Sequence, residues 1–159
     1  MTGANREGIQ FNMIGTNYKL TNIQAAVGLG QLENIEVLLN KRISLANNYK
    51  KLIKNIKKIS LPKVLNPKPN CQHSFQTYIV YVEDRDRVMS EMRSKGIEVQ
   101  IGSYSLHMHN AYNNNPLVDI KGDLSNSKWC FEHALALPLF NDLTFEMQEN
   151  VITELKSCL

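Results

Sequence analysis

Residues 15–33, GTNYKLTNIQAAVGLGQLE, decide the fold of this chain because they join a short polar loop to the start of a helix. Thr21 can cap that helix, and Gln24 three residues later completes a Thr-x-x-Gln capping box. The first turns contain small residues that let another backbone approach, namely Ala25, Ala26, Gly28 and Gly30. The free N–H groups at such a helix start suit a phosphate or a carboxylate.

A long helix follows this start. Apolar residues recur at helical spacing from Thr21 to about Lys57, which predicts a helix over residues 21–58. A helix of this length is unusual in a globular domain, and it typically bridges two lobes or kinks into two. Residues 1–20 are irregular and interrupted by three glycines, so we interpret them as the remnant of a larger upstream domain.

Residues 59–159 form the C-terminal domain in this prediction. A proline-rich connector over 59–72 is followed by alternating strands and helices. The predicted strands cover 74–82, 97–101 and 135–139, and the predicted helices cover 85–94, 125–134 and 144–156. Ser125 and Thr144 are the expected helix caps, and 102–124 is the expected loop. This order predicts an α/β fold: a long N-terminal helix followed by a small α/β sandwich, with helices packed on a short sheet.

Composition limits the possible classes of protein. The chain has 159 residues, 43% of them apolar, and a net charge of +3. The lysines and arginines between 41 and 68 fit a solvated helix face, and with Tyr49 as the one aromatic residue among them they do not favour a nucleic-acid partner. No apolar run approaches membrane length, so no membrane partner is expected. The three cysteines have neither metal-ligand spacing nor an even count, which fits a reducing cytoplasm.

Four blocks of the sequence together resemble one known family. They are residues 15–33, HSFQTYIVYV at 73–82, KGIEVQIGSYSLHMHNAY at 95–112, and DLSNSKWCFEHALALPLFNDLT at 123–144. In this order and with these gaps, they are similar to the C-terminal part of the DegT/DnrJ/EryC1/StrS aminotransferases. The SYSLH segment is similar to the perosamine-synthase-like branch, which acts on nucleotide-linked amino-sugar precursors.

The resemblance implies an activity and a fold. Members of this family are pyridoxal phosphate (PLP) enzymes of the aspartate-aminotransferase fold, and they work as homodimers. They move an amino group from glutamate to the keto carbon of a nucleotide-linked sugar, in amino-sugar and polysaccharide biosynthesis. Some relatives on the same scaffold are dehydratases. In this frame, residues 1–20 belong to the large cofactor domain, 21–58 is the interdomain helix and 59–159 is the small domain.

The resemblance also assigns roles to individual residues. Asn17 matches the asparagine that reaches the PLP phosphate of the neighbouring subunit, although an Asx turn before the helix cap explains it as well. Lys19 stands where the family has an arginine near the substrate, and Tyr18 beside it is expected to pack against the partner subunit. His107 matches the histidine that lines the sugar-nucleotide pocket, and Tyr104 is expected to line the same pocket. Each of these residues except Asn17 is therefore a substrate-binding candidate.

No catalytic residue is assigned within the chain. Its lysines do not occur in the family's Schiff-base context, so the chain alone is not expected to bind PLP covalently or to be active. Two interpretations remain open: the C-terminal portion of a sugar aminotransferase, or an inactive fragment that serves as a binding or oligomerisation module. His107 and His109 have a spacing that can bind a metal from a strand, but without an evident third ligand no metal site is predicted.

Overall fold

The computed structural model describes residues 18–63, 71–113 and 115–159. The chain divides into two compact units, Met1–Val37 and Leu38–Leu159. The helices are α1 (Asn22–Leu32), α2 (Ile35–Ile53), α3 (Arg85–Ser94), α4 (Asn110–Asn113), α5 (Ser125–His133) and α6 (Phe145–Ser157), and the strands are β1 (Tyr78–Tyr81), β2 (Gln100–Ile101) and β3 (Ala134–Leu137). A short 3₁₀ helix spans Leu106–Met108. No helix among these is both long and apolar enough to cross a membrane.

The start of α1 has the predicted capping box. The backbone N–H of Gln24 donates to Oγ1 of Thr21 over 3.2 Å, and the backbone N–H of Thr21 donates to Oε1 of Gln24 over 3.0 Å. No residue of α1 is buried. A Cβ added at Gly28 or Gly30 would meet no atom within 4 Å, so the close backbone packing predicted from these glycines is not formed within the described chain.

The structure divides the helix predicted over 21–58 into α1 and α2, which is the kinked alternative. The break lies at Glu33 and Asn34, where the N–H of Asn34 donates to Gln31 O and its side-chain amide donates to Gly30 O. These local bonds replace the regular helical pattern, and the two glycines nearby weaken the helix by about 1 kcal/mol each. The second helix ends at Ile53, and two hydrogen-bonded turns follow it. In the first the N–H of Ile56 donates to Ile53 O, and in the second the N–H of Ile59 donates to Ile56 O.

The second unit contains a three-stranded antiparallel sheet in the order β1-β3-β2. Tyr78 pairs with Leu137, and Ile101 pairs with Leu135. All four residues of the central strand β3 are buried, so both of its faces are covered. The predicted small α/β sandwich is confirmed, although each strand is shorter than predicted. The first strand begins only at Tyr78 because Phe75 has φ 47°, which is outside the extended region.

The helices of this unit follow the prediction with one exception. Thr144 caps α6, and its Oγ1 accepts the N–H of Met147 over 3.1 Å. The expected cap of α5 by Ser125 is wrong, since Leu124 with φ 48° precedes the helix and Ser125 is its first residue. Ser125 instead donates its N–H and its hydroxyl to the carboxylate of Asp123, at 3.1 and 2.8 Å. The expected loop 102–124 also contains α4 and the 3₁₀ helix.

The core joins α2 to the sheet and to α6. From α2, Tyr49 is fully buried, its ring lies 5.0 Å from that of Tyr78, and its hydroxyl donates to Pro138 O over 3.0 Å. Burial raises the pKa of Tyr78 to about 12. Gln148 of α6 is fully buried and bonds to Leu45 O and to Asn48, both of α2. These contacts fix the position of the sheet, whose edge carries the loop described next.

Candidate functional site

A cavity of about 420 Å³ lies beside the segment that follows β2. Its polar lining comes from the loop after β2, from the region before α5 and from α5 itself. These polar residues are Tyr104, His107, Tyr112, Asp119, Lys121 and Ser127. The structure therefore brings together two predicted pocket residues, Tyr104 and His107, with four that sequence reasoning missed.

A chain of hydrogen bonds holds the imidazole of His107. Its Nδ1 lies 2.9 Å from Oγ of Ser105, and that Oγ lies 3.0 Å from Oγ of Ser127. Ser105 is fully buried, whereas His107 and Ser127 are only half-buried and line the cavity. Nε2 of His107 has no hydrogen-bond partner within the described chain. The ring is thus held through one nitrogen and keeps the other for a ligand.

Aromatic packing supports Tyr104 from behind. Its ring lies 6.2 Å from both His109 and Phe131, and these two rings meet edge to face at 5.6 Å. The guanidinium of Arg85 lies 5.4 Å from the centre of the Phe131 ring. Arg85 is buried, and its Nε lies 2.9 Å from Oδ1 of Asp86, off the axis of a hydrogen bond. These contacts pack the loop after β2 against Arg85 of α3 and Phe131 of α5. The packing around Tyr104 restricts its ring.

One charged pair stands at the mouth of the cavity. Nζ of Lys121 lies 3.2 Å from Oδ2 of Asp119, and both side chains are more than three-quarters exposed. Exposed ion pairs of this kind are worth less than about 1 kcal/mol, so Lys121 can exchange Asp119 for an anionic ligand at little cost. The lining therefore offers an imidazole, hydroxyl groups, one ammonium and the carboxylate of Asp119, a set suited to a hydroxylated ligand whose anionic group replaces Asp119 at Lys121.

The other predicted site residues belong to the first unit. Asn17 lies outside the described residues. Tyr18 and Lys19 precede α1, and both are solvent-exposed. Their roles toward the partner subunit and the substrate stay predictions.

His107 and His109 do not act as a pair in this structure. Nδ1 of His107 is engaged by Ser105, whereas the ring of His109 packs against Tyr104 and Phe131. Among the described residues, no group of three or more His, Cys, Asp or Glu side chains is arranged to hold a metal ion.

A second cavity, also of about 420 Å³, lies between α2 and β1. Leu61, Pro62, Phe75 and Ile79 make much of its wall apolar. Nδ1 of His73 accepts the backbone N–H of Phe75 over 2.9 Å, whereas Asn47, Lys50 and Thr77 make no side-chain hydrogen bond to one another within the described chain. The cavity at His107 is therefore the better organised of the two.

The lysines do not provide a site for covalent attachment of a carbonyl cofactor. All twelve lysines that the structure describes are solvent-exposed. A lysine that forms a Schiff base needs a desolvated setting or a neighbouring cation that lowers its pKa, and an exposed, solvated ammonium has neither. The described residues fit a wall that contacts a ligand but not a covalent anchor.

Known structures share this fold. DesV of S. venezuelae, solved in complex with a ketimine intermediate, is 23% identical with a TM-score of 0.79, and the match covers 96% of this chain and 40% of DesV. The sugar aminotransferase CalS13 from Micromonospora echinospora is 20% identical with a TM-score of 0.79, over 99% of this chain and 42% of CalS13. The second unit thus has the fold found in aminotransferases of this type.

Sequence comparison agrees with the fold. The profile of the DegT/DnrJ/EryC1/StrS aminotransferase family matches residues 1–156, and the chain belongs to this family. An uncharacterised protein of Methanocaldococcus jannaschii is 24% identical over 148 residues, which are 89% of this chain and 37% of that protein. The chain spans about two-fifths of the length of these relatives and matches their C-terminal part.

Proposed function

We propose that this chain is the C-terminal portion of a PLP-dependent aminotransferase that acts on a nucleotide-linked keto-sugar, with glutamate as amino donor. The observation that carries the proposal is the cavity in which His107, Tyr104 and Ser127 present an imidazole and hydroxyl groups. Two of these residues lie in the sequence block that resembles the family's sugar-nucleotide loop. Family membership supports the reaction class, and the structural similarity to the sugar aminotransferase CalS13 supports a sugar substrate.

The residues of this chain take binding roles in the proposal. His107, Tyr104 and Ser127 bind the sugar hydroxyls, and Lys121 attracts the diphosphate of the nucleotide. Lys19 and Tyr18 are further substrate contacts in the complete enzyme, and Asn17 contacts the PLP phosphate of the neighbouring subunit. PLP, when bound, supplies an electron sink. Because the described lysines are exposed, the lysine that anchors PLP lies outside the described residues in this proposal.

Nucleotide-sugar binding tests this proposal directly. We expect UDP-glucose or GDP-mannose, titrated into the chain, to shift the NMR resonances of residues around the cavity. His107→Ala should weaken this binding by about tenfold, since it removes a hydrogen bond in a partly desolvated site. Leu117→Ala is the matched control, because Leu117 is 92% exposed and does not line the cavity. Equal binding by His107→Ala and the native chain, or no binding at all, contradicts the proposal.

A second candidate function is a non-catalytic binding or oligomerisation module. The exposure of every described lysine favours it for the chain taken alone. Incubation with PLP, glutamate and a keto-sugar nucleotide separates the two. Transamination by the chain alone contradicts the second candidate. If the chain does not transaminate but binds the sugar nucleotide tightly, the result supports the proposal that it is the C-terminal portion of a larger enzyme.

The expected homodimer has its own physical support in α1. Ile23, Val27, Leu29 and Leu32 are each more than 60% exposed and point to more than one side of the helix. A helix that is apolar all round is normally buried, so α1 is suited to being covered by a second copy of this chain.

We therefore expect the chain to sediment as a dimer at micromolar concentration. Val27→Asp combined with Leu32→Asp should convert it to a monomer, because two buried carboxylates in such an interface cost several kcal/mol. Leu117→Asp places one such carboxylate on an exposed apolar residue outside α1 and should leave the dimer intact. A monodisperse monomer of the native chain in sedimentation velocity refutes this expectation.

The cellular setting completes the proposal. Cys71, Cys130 and Cys158 are all unpaired, as expected in the reducing cytoplasm. The net charge is only +3, and Tyr49, the one aromatic residue among the lysines at 41–68, is fully buried and is not free to stack on a base, so nothing here favours nucleic acid as a partner.

A further inference from the structure

Ser105 differs from every other polar residue near the cavity, because it is fully buried and has two hydrogen-bonding neighbours. Its Oγ lies 2.9 Å from Nδ1 of His107 and 3.0 Å from Oγ of Ser127. A serine hydroxyl carries one hydrogen and two lone pairs, and a buried O–H left without an acceptor is costly, so Ser105 donates to one of these neighbours and accepts from the other. Since the side chain is shielded from solvent, water does not compete for either role.

Two directions of this chain satisfy the distances. In the first, Ser127 donates to Ser105 and Ser105 donates to Nδ1, so the neutral imidazole carries its hydrogen on Nε2. In the second, Nδ1–H donates to Ser105 and Ser105 donates to Ser127, so Nε2 holds a lone pair and the Ser127 hydroxyl is free to donate outward. In both directions the two ends that line the cavity have opposite hydrogen-bonding character.

We infer that Ser105 is a positioning residue that couples Nε2 of His107 to the hydroxyl of Ser127, so that together they present one donor and one acceptor to the ligand. The inference rests on the proposed function, in which the cavity takes the sugar. Such a matched pair suits two neighbouring sugar hydroxyls, because each hydroxyl both donates and accepts. It discriminates against a ligand that offers only acceptors, such as a carboxylate or a phosphate, which would leave one end of the pair unsatisfied.

The tautomer of His107 is the direct readout, and it requires no ligand. We expect ¹⁵N shifts of the imidazole, recorded on the native chain in alkaline buffer where the ring is neutral, to show one predominant tautomer. His107→Gln identifies the resonances among the four histidines by removing them. Ser105→Ala should bring both nitrogen shifts toward those of a histidine in a short peptide, a change in tautomer ratio of up to about tenfold for one hydrogen bond.

Ser127→Ala tests the coupling itself. Ser127 bonds to Ser105, and within the described chain it makes no hydrogen bond to the His107 ring. If Ser127 had only a structural role, its removal would therefore leave the tautomer ratio of His107 unchanged. We expect the tautomer ratio to change by at least about twofold, because Ser105 loses the neighbour that sets its direction. Ser103→Ala is the control: Ser103 lies in the same loop and makes no side-chain hydrogen bond among the described residues.

The outcomes separate this inference from the proposed function. Unchanged shifts in Ser105→Ala or in Ser127→Ala overturn the inference, whether or not the chain binds a sugar nucleotide. If Ser105→Ala does not fold, Ser127→Ala at its half-buried position decides alone. If the shifts change as expected but the chain does not bind UDP-glucose, the shifts support Ser105 as the positioning residue. The missing binding then refutes the sugar-binding role of the cavity.

Discussion

Leu135→Ala is expected to lower the free energy of unfolding of this chain by about 2–5 kcal/mol. Leu135 is fully buried in β3, the central strand, and pairs with Val80 on one side and Ile101 on the other. Truncation removes the transfer free energy of the side chain and leaves a cavity that the sheet, held by strands on both sides, cannot close. Urea unfolding followed by circular dichroism measures the change.

Leu117→Ala is the matched control for this substitution. It makes the same chemical change at a side chain that is 92% exposed, and we expect less than about 0.5 kcal/mol of destabilisation. A loss below about 1 kcal/mol for Leu135→Ala would show that β3 is not the centre of the core.

Gln148→Ala is expected to lower the free energy of unfolding by about 2–4 kcal/mol. Gln148 is fully buried in α6, donates from Nε2 to Leu45 O over 2.9 Å and accepts at Oε1 from Nδ2 of Asn48 over 2.9 Å. The alanine leaves both partners in α2 without this contact and also opens a cavity. The two effects act together because one side chain fills the space and makes both bonds.

A control on the same helix isolates the buried contacts. Asn150 is exposed and makes no side-chain hydrogen bond among the described residues, so Asn150→Ala should be neutral or slightly stabilising through helix propensity. Asn48→Ala should show about half of the Gln148→Ala effect, since it removes only one of the two bonds. Equal stability of Gln148→Ala and Asn150→Ala in urea would contradict the role of Gln148 in joining α6 to α2.

Local signals in the sequence were sufficient for most of the secondary structure. The capping box at Thr21 and the cap at Thr144 are confirmed, because both depend only on residues three positions apart. The helix predicted over 21–58 was expected either to run on or to kink into two, and the sequence did not locate the division that the structure shows between Leu32 and Ile35. The apolar pattern continues across Asn34, but periodicity does not register that its amide bonds back to Gly30 O and that the helix ends there.

The candidate site shows a similar division. Tyr104 and His107 were predicted from the sequence block that contains them, and both line the cavity. Ser127 was missed because the sequence around it, SNSK at 125–128, is typical of a helix start. Nothing in this segment indicates a hydrogen-bond partner in the loop after β2. Arg85 was missed as well, since only packing brings its guanidinium over Phe131.

The sequence by itself determined the family, the α/β class and the caps of α1 and α6, because these motifs and caps are local and do not depend on the packing. Only the tertiary structure decided that Ser127 meets Ser105, 22 residues earlier in the chain. That meeting requires β2 and β3 to pair and α5 to run directly into β3, so that the loop after β2 lies beside α5. A hydrogen bond needs placement within a few tenths of an ångström, and for residues distant in sequence only the packed sheet provides it.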